Sequence, residues 1–456
     1  MDVMNSHKVI RSTRVTRNRL PLIAPSPQRP ASRTRFVIAR FLLLSIVSAM
    51  CLASLRMAQA QTETVVYNFT GGKDGGGPMA GLVWDAHGHL YSTTSYGGQY
   101  QGGTLFALDT SGNEQVLAPF YPAYGDTPLD PPIVGGSTFF LGLGQEFLLT
   151  ASGGGAHGCG AIVVGTNTGY AIEVYAFTGG ADGCSPSGRL TRAGNGVFYG
   201  TAVGGGAHGA GTIFEVLKAG AYLQYTYKLV YTFTGGADGG APEGTLIRDD
   251  QGNLYGTTNS GGANGFGTVF ELNGAGETVL YSFKGGTDGA NPTGDLLLDS
   301  KGNFYGTTSA GGTFGFGTVY EVSASGGETI LHSFAGGSDG ASPAAGVIKD
   351  GNENLYGTTA YGGSGTICEQ FQSQDGCGTV FEVSPKGEET VLYSFTGGTD
   401  GWMPMGKLVH DSQNNLYGTT YMGGASENSG CAPLGCGVAF ELTPSLDSRS
   451  LDPGDR

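Results

Sequence analysis

A unit of about fifty residues recurs seven times between Glu63 and Leu442, and that repetition limits the fold more than any other feature. In its clearest copy the unit contains NLYGTT, Asn253–Thr258, whose Tyr255 has counterparts at Tyr91, Leu148, Tyr199, Tyr305, Tyr356 and Tyr417. Fifteen residues after Tyr255 comes Phe270 of GTVFEL, matched at the same distance by Phe106, Phe214 and Tyr320, with Val163 in the weakest copy. A third landmark, the last aromatic of ETVLYSF, falls at Phe69, Phe120, Phe177, Phe233, Phe283, Phe334 and Phe395. An array of this period, with several short strand signals per unit, reads as a propeller or a solenoid.

Between Gly244 and Phe283 the unit resolves into GTLIRDD, NLYGTT, GTVFEL and ETVLYSF, separated by QGN, SGGANGFG and NGAG. Alternating apolar and polar residues rich in Val, Thr, Tyr and Phe specify strands, and the Gly, Asn and Asp between them specify turns. Four antiparallel strands, here A to D, make one propeller blade. The 85 glycines recur at fixed offsets, which places them in turns of an ordered protein rather than in a disordered tract. A-type strands begin near Gly81, Ser137, Gly188, Gly244, Gly294, Gly346 and Gly406.

The array starts with an extra D-type strand, Glu63–Phe69, and ends on a C-type strand, Gly437–Leu442, with no D strand after it. Joining these loose ends closes a ring, whereas an open solenoid leaves two bare edges that need caps. The expected fold is therefore all-β: a seven-bladed propeller of four-stranded blades over residues 61–443, closed by the N-terminal strand beside the last blade. The D-to-A spacing is 13 residues in six copies and 19 in the second, from Phe120 to Phe139, where the GGxDG motif is lost. The B–C connections of copies six and seven carry insertions.

Residues 1–60 differ from the rest. They hold ten of the 23 Lys and Arg but only one of the 38 acids, and Phe41–Leu55 is an apolar run ending shortly before Ala58-Gln59-Ala60. A basic leader, a short apolar core and an A-x-A site describe a signal peptide cleaved near Ala60, with Cys51 in the discarded part. Fifteen apolar residues fall short of the about 20 that span a bilayer, so no membrane span is expected in the mature chain. Residues 444–456 read as a disordered tail. The mature chain keeps 13 basic and 37 acidic residues, a surface that repels nucleic acid and anionic membranes. A secreted, periplasmic or envelope location follows, with a monomer as the expected state.

In an up-and-down blade the B–C and D–A loops share one face, which gathers the long glycine loops; that face is the expected binding surface. Six cysteines remain after the leader. Cys159, Cys377 and Cys436 share one repeat position before strand C, so the fold favours pairing Cys159–Cys184, Cys368–Cys377 and Cys431–Cys436. Zinc at these cysteines is not expected, since the spacings of nine and five are not those of Cys-x-x-Cys and the chain is read as exported. The GGxDG loops supply Asp74, Asp182, Asp238, Asp288, Asp339 and Asp400; one carboxylate per loop suits a turn better than calcium, which wants six to eight oxygens. Of these, Asp238, Asp288, Asp339 and Asp400 are the candidate ligand contacts. His157 and His208, in matching GGGAHG loops, and Trp402, Tyr361 and Tyr421 complete the candidate ligand set. No catalytic residue, cofactor or metal is expected. The function expected is a binding scaffold for a polysaccharide or protein of the envelope; the alternative is a carbohydrate-active or lyase-type enzyme with its site on the B–C/D–A face.

The unit GNLYGTTNSGGANGFGTVFELNGAGETVLYSFKGGTDGANPTGDL resembles the GloVer tandem repeat of bacterial "choice-of-anchor" exported proteins, from Glu63 to Leu442. The resemblance implies an exported, propeller-like protein and brings no assigned activity.

Overall fold

Contacts divide the chain of the computed structural model into Met1–Ala58 and Gln59–Arg456. The structure describes residues 61–443 except 110, 136–144, 195, 221–222, 369–375 and 426–429. The expected leader and tail lie outside the described residues.

Seven antiparallel sheets follow one another, each built of the A, B, C and D strands of one unit, with three single-turn 3₁₀ segments in D–A loops as the helical content among the described residues. The seventh blade takes Val409–His410, Leu416–Thr420 and Val438–Thr443 as its inner strands. Its outer strand is Thr62–Asn68, with Val65 opposite Phe440, so the ring closes as expected.

The repeat landmarks are the glue between blades. At six of the seven interfaces the D-strand phenylalanine meets the C-strand aromatic of the next blade edge-on, as in Phe233 and Phe270 at 5.3 Å, Phe334 and Phe381 at 5.0 Å, and, across the closure, Phe69 and Phe106 at 5.0 Å; Phe120 faces Val163 instead. All are at most 1 % exposed. Such pairs add about 0.5–1.5 kcal/mol beyond the area they bury. The glycine of NLYGTT makes room for that aromatic. Gly256 lies opposite Phe270, and a Cβ there would come within 2.8 Å of the ring. In the second blade Leu149 stands in this position and Val163 opposite it, so a larger residue in strand B is balanced by a smaller one in strand C. The weakest copy is thus a repacked one.

One element departs from expectation. The second blade's A strand is Ile133–Val134, paired with Phe147 and Leu148, and the expected strand near Ser137, with Phe139, lies outside the described residues. The register makes Ile133 the counterpart of Val83, which pairs with Tyr91. The extra residues of this copy therefore lie after strand A, in the A–B connection of the opposite face, and not in the D–A linker. The Pro131-Pro132 pair disguised the strand: prolines are confined to edge strands, and an A strand bordering the central channel is such an edge.

Three disulfides join Cys159 to Cys184, Cys368 to Cys377 and Cys431 to Cys436, with Cα atoms 4.6, 5.6 and 5.3 Å apart. The first links neighbouring blades.

Candidate functional site

The candidate site grows from a proline that the repeat carries once per blade: Pro78, Pro128, Pro186, Pro242, Pro292, Pro343 and Pro404. The residue before each has positive φ, between 52° and 61°, even where it is Thr127, Ser185, Ala241, Asn291, Ser342 or Met403. Positive φ is costly for a side chain, so something must hold it. Its N–H donates to a carbonyl of the preceding blade, as from Asn291 to Phe266 at 3.0 Å and, across the ring closure, from Gly77 to Cys436 at 2.8 Å. Each proline ring packs on the glycine that opens the neighbouring C strand; Pro292 Cδ would lie 2.6 Å from a Cβ on Gly267.

This stitch turns each A strand inward. Two residues past the proline, small side chains let neighbouring strands touch: a Cβ on Gly188 would meet the Gly244 oxygen at 2.7 Å, and one on Gly244 the Gly294 oxygen at 2.8 Å. Strands from all seven blades surround a central cavity of about 840 Å³. Here the seven-fold symmetry fails. Three residues past the prolines stand Gly81, Pro131, Arg189, Thr245, Asp295, Gly346 and Lys407, and Asp130 replaces the small residue of the second copy.

These unlike groups form a mixed-charge set at the axis. Asp295 accepts the Thr245 N–H at 2.7 Å and lies 3.5 Å from the Lys407 ammonium, two blades away. Asp130 accepts the Gly188 N–H at 2.8 Å, and Arg189 Nε donates to the Pro132 oxygen at 3.3 Å. Burial, reinforced by the charge of Asp295, pushes the Asp130 carboxyl up to about 7 despite the Gly188 N–H and Arg189, which pull it down. Burial lowers Arg189 and raises Glu243, which also lines the cavity. The Thr293 hydroxyl and the Trp84 indole N–H are buried in the wall without hydrogen-bond partners among the described residues. The rest of the wall is largely apolar, with Met79, Leu129, Met405, Ile247, Leu297 and Ile348, and it also carries Lys349 and His410.

The residues singled out from sequence are dispersed. His157 and His208 are exposed on B–C loops of adjacent blades and do not line the cavity. Asp238, Asp288 and Asp400 each close their own loop. Asp400, for example, accepts the Thr396 N–H at 2.7 Å, its hydroxyl at 2.6 Å and the Tyr393 hydroxyl at 3.0 Å. Asp238 is held the same way by Thr234 and Tyr231, and Asp288 by Lys284 N–H and Tyr281. Asp339 accepts the Ala335 N–H and faces His332. Trp402 is 3 % exposed, inside the core of the last blade. Tyr421 packs edge-on against Tyr96 at 6.4 Å. Of this set, Tyr361 lines the cavity. The axial residues carry no motif of their own and lie apart from the long glycine loops on which the expected binding surface rests. The signal that finds them is the recurring proline, followed three residues later by a position that changes from copy to copy.

Among solved structures, similarity extends to the extracellular domain of a protein described as a one-component system from B. thetaiotaomicron, at 10 % identity and TM-score 0.48, covering 85 % of this chain and 40 % of that one. The extracellular domain of a hybrid two-component system from the same organism is similar at 10 % identity and TM-score 0.48, covering 86 % and 42 %. A protein described as a 6-phosphogluconolactonase from Bacteroides uniformis gives 14 % identity and TM-score 0.43, covering 69 % and 84 %. The chain spans about two fifths of the length of the two B. thetaiotaomicron chains. No curated protein matches the sequence. The Gloeobacter/Verrucomicrobia repeat matches residues 140–371, more than half of the 456, and with seven such units in one closed ring the chain belongs to that repeat family.

Proposed function

We propose that the protein is an exported binding propeller that takes a neutral sugar unit, the end of an envelope or extracellular polysaccharide, into its central channel. The observation that carries this reading is the loss of repeat symmetry along the channel wall at Asp130, Arg189, Thr245, Asp295 and Lys407. Sugar hydroxyls both donate and accept, so a ring of alternating cations and carboxylates satisfies them, while Met and Trp side chains cover the C–H faces. Balanced charge in the wall favours a neutral ligand over an ion. Three disulfides support export, because such bonds persist in oxidising compartments, and no helix of the described residues is long and apolar enough to cross a membrane. Glycan-array binding followed by calorimetry tests the reading: retention of a neutral glycan, lost in R189A and in D295N, is the expected result. Silence across neutral polysaccharides, or binding untouched by both changes, overturns it.

A second reading, a carbohydrate-active enzyme, rests on Asp130. A channel carboxyl titrating near 7 beside a guanidinium has the properties of a general acid or base. Turnover of the retained glycan that D130N abolishes without weakening binding would select it.

A further inference from the structure

The D-strand tyrosine, the GGxDG aspartate and the first glutamate of the next blade's D strand recur as a group at the blade interfaces. Tyr231–Asp238–Glu277, Tyr281–Asp288–Glu328, Tyr393–Asp400–Glu63 and Tyr67–Asp74–Glu114 are four such groups, in each of which the phenol donates to the aspartate. Between the fifth and sixth blades the tyrosine is replaced by His332, whose Nε2 is 3.3 Å from Asp339 Oδ2. One ligand atom each from His332, Asp339 and Glu389 lie within 4.8 Å of one another. Among the described residues this is the cluster with that property.

The exchange of tyrosine for histidine changes the chemistry of the group. A neutral phenol brings a proton to the carboxylates, whereas an imidazole brings a lone pair. Ligands bound tetrahedrally at about 2.0–2.1 Å are separated by about 3.3 Å, close to the His332–Asp339 spacing. As in the four tyrosine groups, one oxygen of the glutamate, here Glu389, is buried with no hydrogen-bond partner among the described residues; what differs here is the imidazole lone pair beside it. The side chains of His332 and Asp339 are 18 % and 22 % exposed, which leaves an approach for an ion and its water. No metal is expected from sequence because each GGxDG loop supplies one carboxylate; the ring adds the other two ligands from neighbouring strands.

We propose that His332, Asp339 and Glu389 bind one divalent transition-metal ion, zinc by preference, that clamps the fifth blade to the sixth. One imidazole and two carboxylates suit zinc with a water in the fourth position, and they supply too few oxygens for calcium.

The test uses the full chain, freed of metal by chelator, and zinc alone as the probe. Calorimetry is expected to show one equivalent bound. At a hundredfold excess over the dissociation constant the melting temperature is expected to rise by about 3 °C. H332Y installs the residue of the other four groups, so it keeps the fold, and it should lose both the heat and the thermal shift; E389Q serves as a second variant with the same expected loss. H87Q/H89Q removes the other neighbouring histidine pair, near Asp85, and should leave both signals intact. Zinc binding that survives H332Y, or that disappears in H87Q/H89Q instead, overturns the assignment, as does the absence of any binding.

Discussion

Five interfaces of the ring bury an aspartate beside a glutamate, and these pairs make stability depend on pH in an unusual direction. Glu63, Glu114, Glu277 and Glu328 are pushed up to about 7, and Glu389 to about 8, first by burial and then by Asp400, Asp74, Asp238, Asp288 and Asp339 respectively. Each keeps one buried oxygen without a hydrogen-bond partner among the described residues. Because the folded glutamates hold their protons to higher pH than unfolded ones, their favourable contribution is complete below about pH 4.5 and is lost as pH rises through 7. For a wholly buried carboxyl this displacement is worth about 3 kcal/mol, and with half-buried, screened side chains about 1 kcal/mol each is the appropriate figure. Five together amount to about 5 kcal/mol between pH 4.5 and 8. Asp238 and Asp339 act oppositely: burial raises them, but the hydrogen bonds they accept outweigh it and leave them below the usual carboxylate range, so acid removes their contribution below about pH 4. Urea unfolding of the chelator-treated protein from pH 4 to 8 should show maximum stability near pH 5. The Glu→Gln variant at Glu63, Glu114, Glu277 and Glu328 should flatten the curve above that point, gaining stability at pH 8 and little at pH 5. A curve that rises from pH 5 to 8, or a variant weakened at pH 8, would show that these glutamates ionise in the folded ring without penalty.

Two further predictions concern the ring itself. C159S/C184S removes a cross-link of sequence separation 25 and should lower unfolding free energy by about 3 kcal/mol, read from the denaturant midpoint. Gly346→Ala places a Cβ 2.0 Å from the Asp295 oxygen and 2.9 Å from its nitrogen, so backbone at the axis must move; a loss of about 1–3 kcal/mol, measured by thermal unfolding, is expected together with weakened glycan retention.

Much of this architecture was legible without coordinates. Strand count, blade number, closure by Glu63–Phe69 and the cysteine pairs all follow from positions in the repeat, because each copy solves the same local packing problem with the same residue types. The second blade resisted where Pro131-Pro132 masks Ile133–Val134, since proline in a sequence argues against a strand unless its edge position is already known.

Repetition along the chain is enough to specify a periodic, disulfide-bearing ring, because it fixes the contacts between one unit and the next. Which residues meet across the axis or between blades is set when the ring folds. Asp295 and Lys407 lie 112 positions apart, and Glu389 reaches His332 from the neighbouring sheet; no local periodicity records such encounters. Closure is the cause: it brings inner edges from seven separate segments around one cavity, where a few unlike side chains set the chemistry.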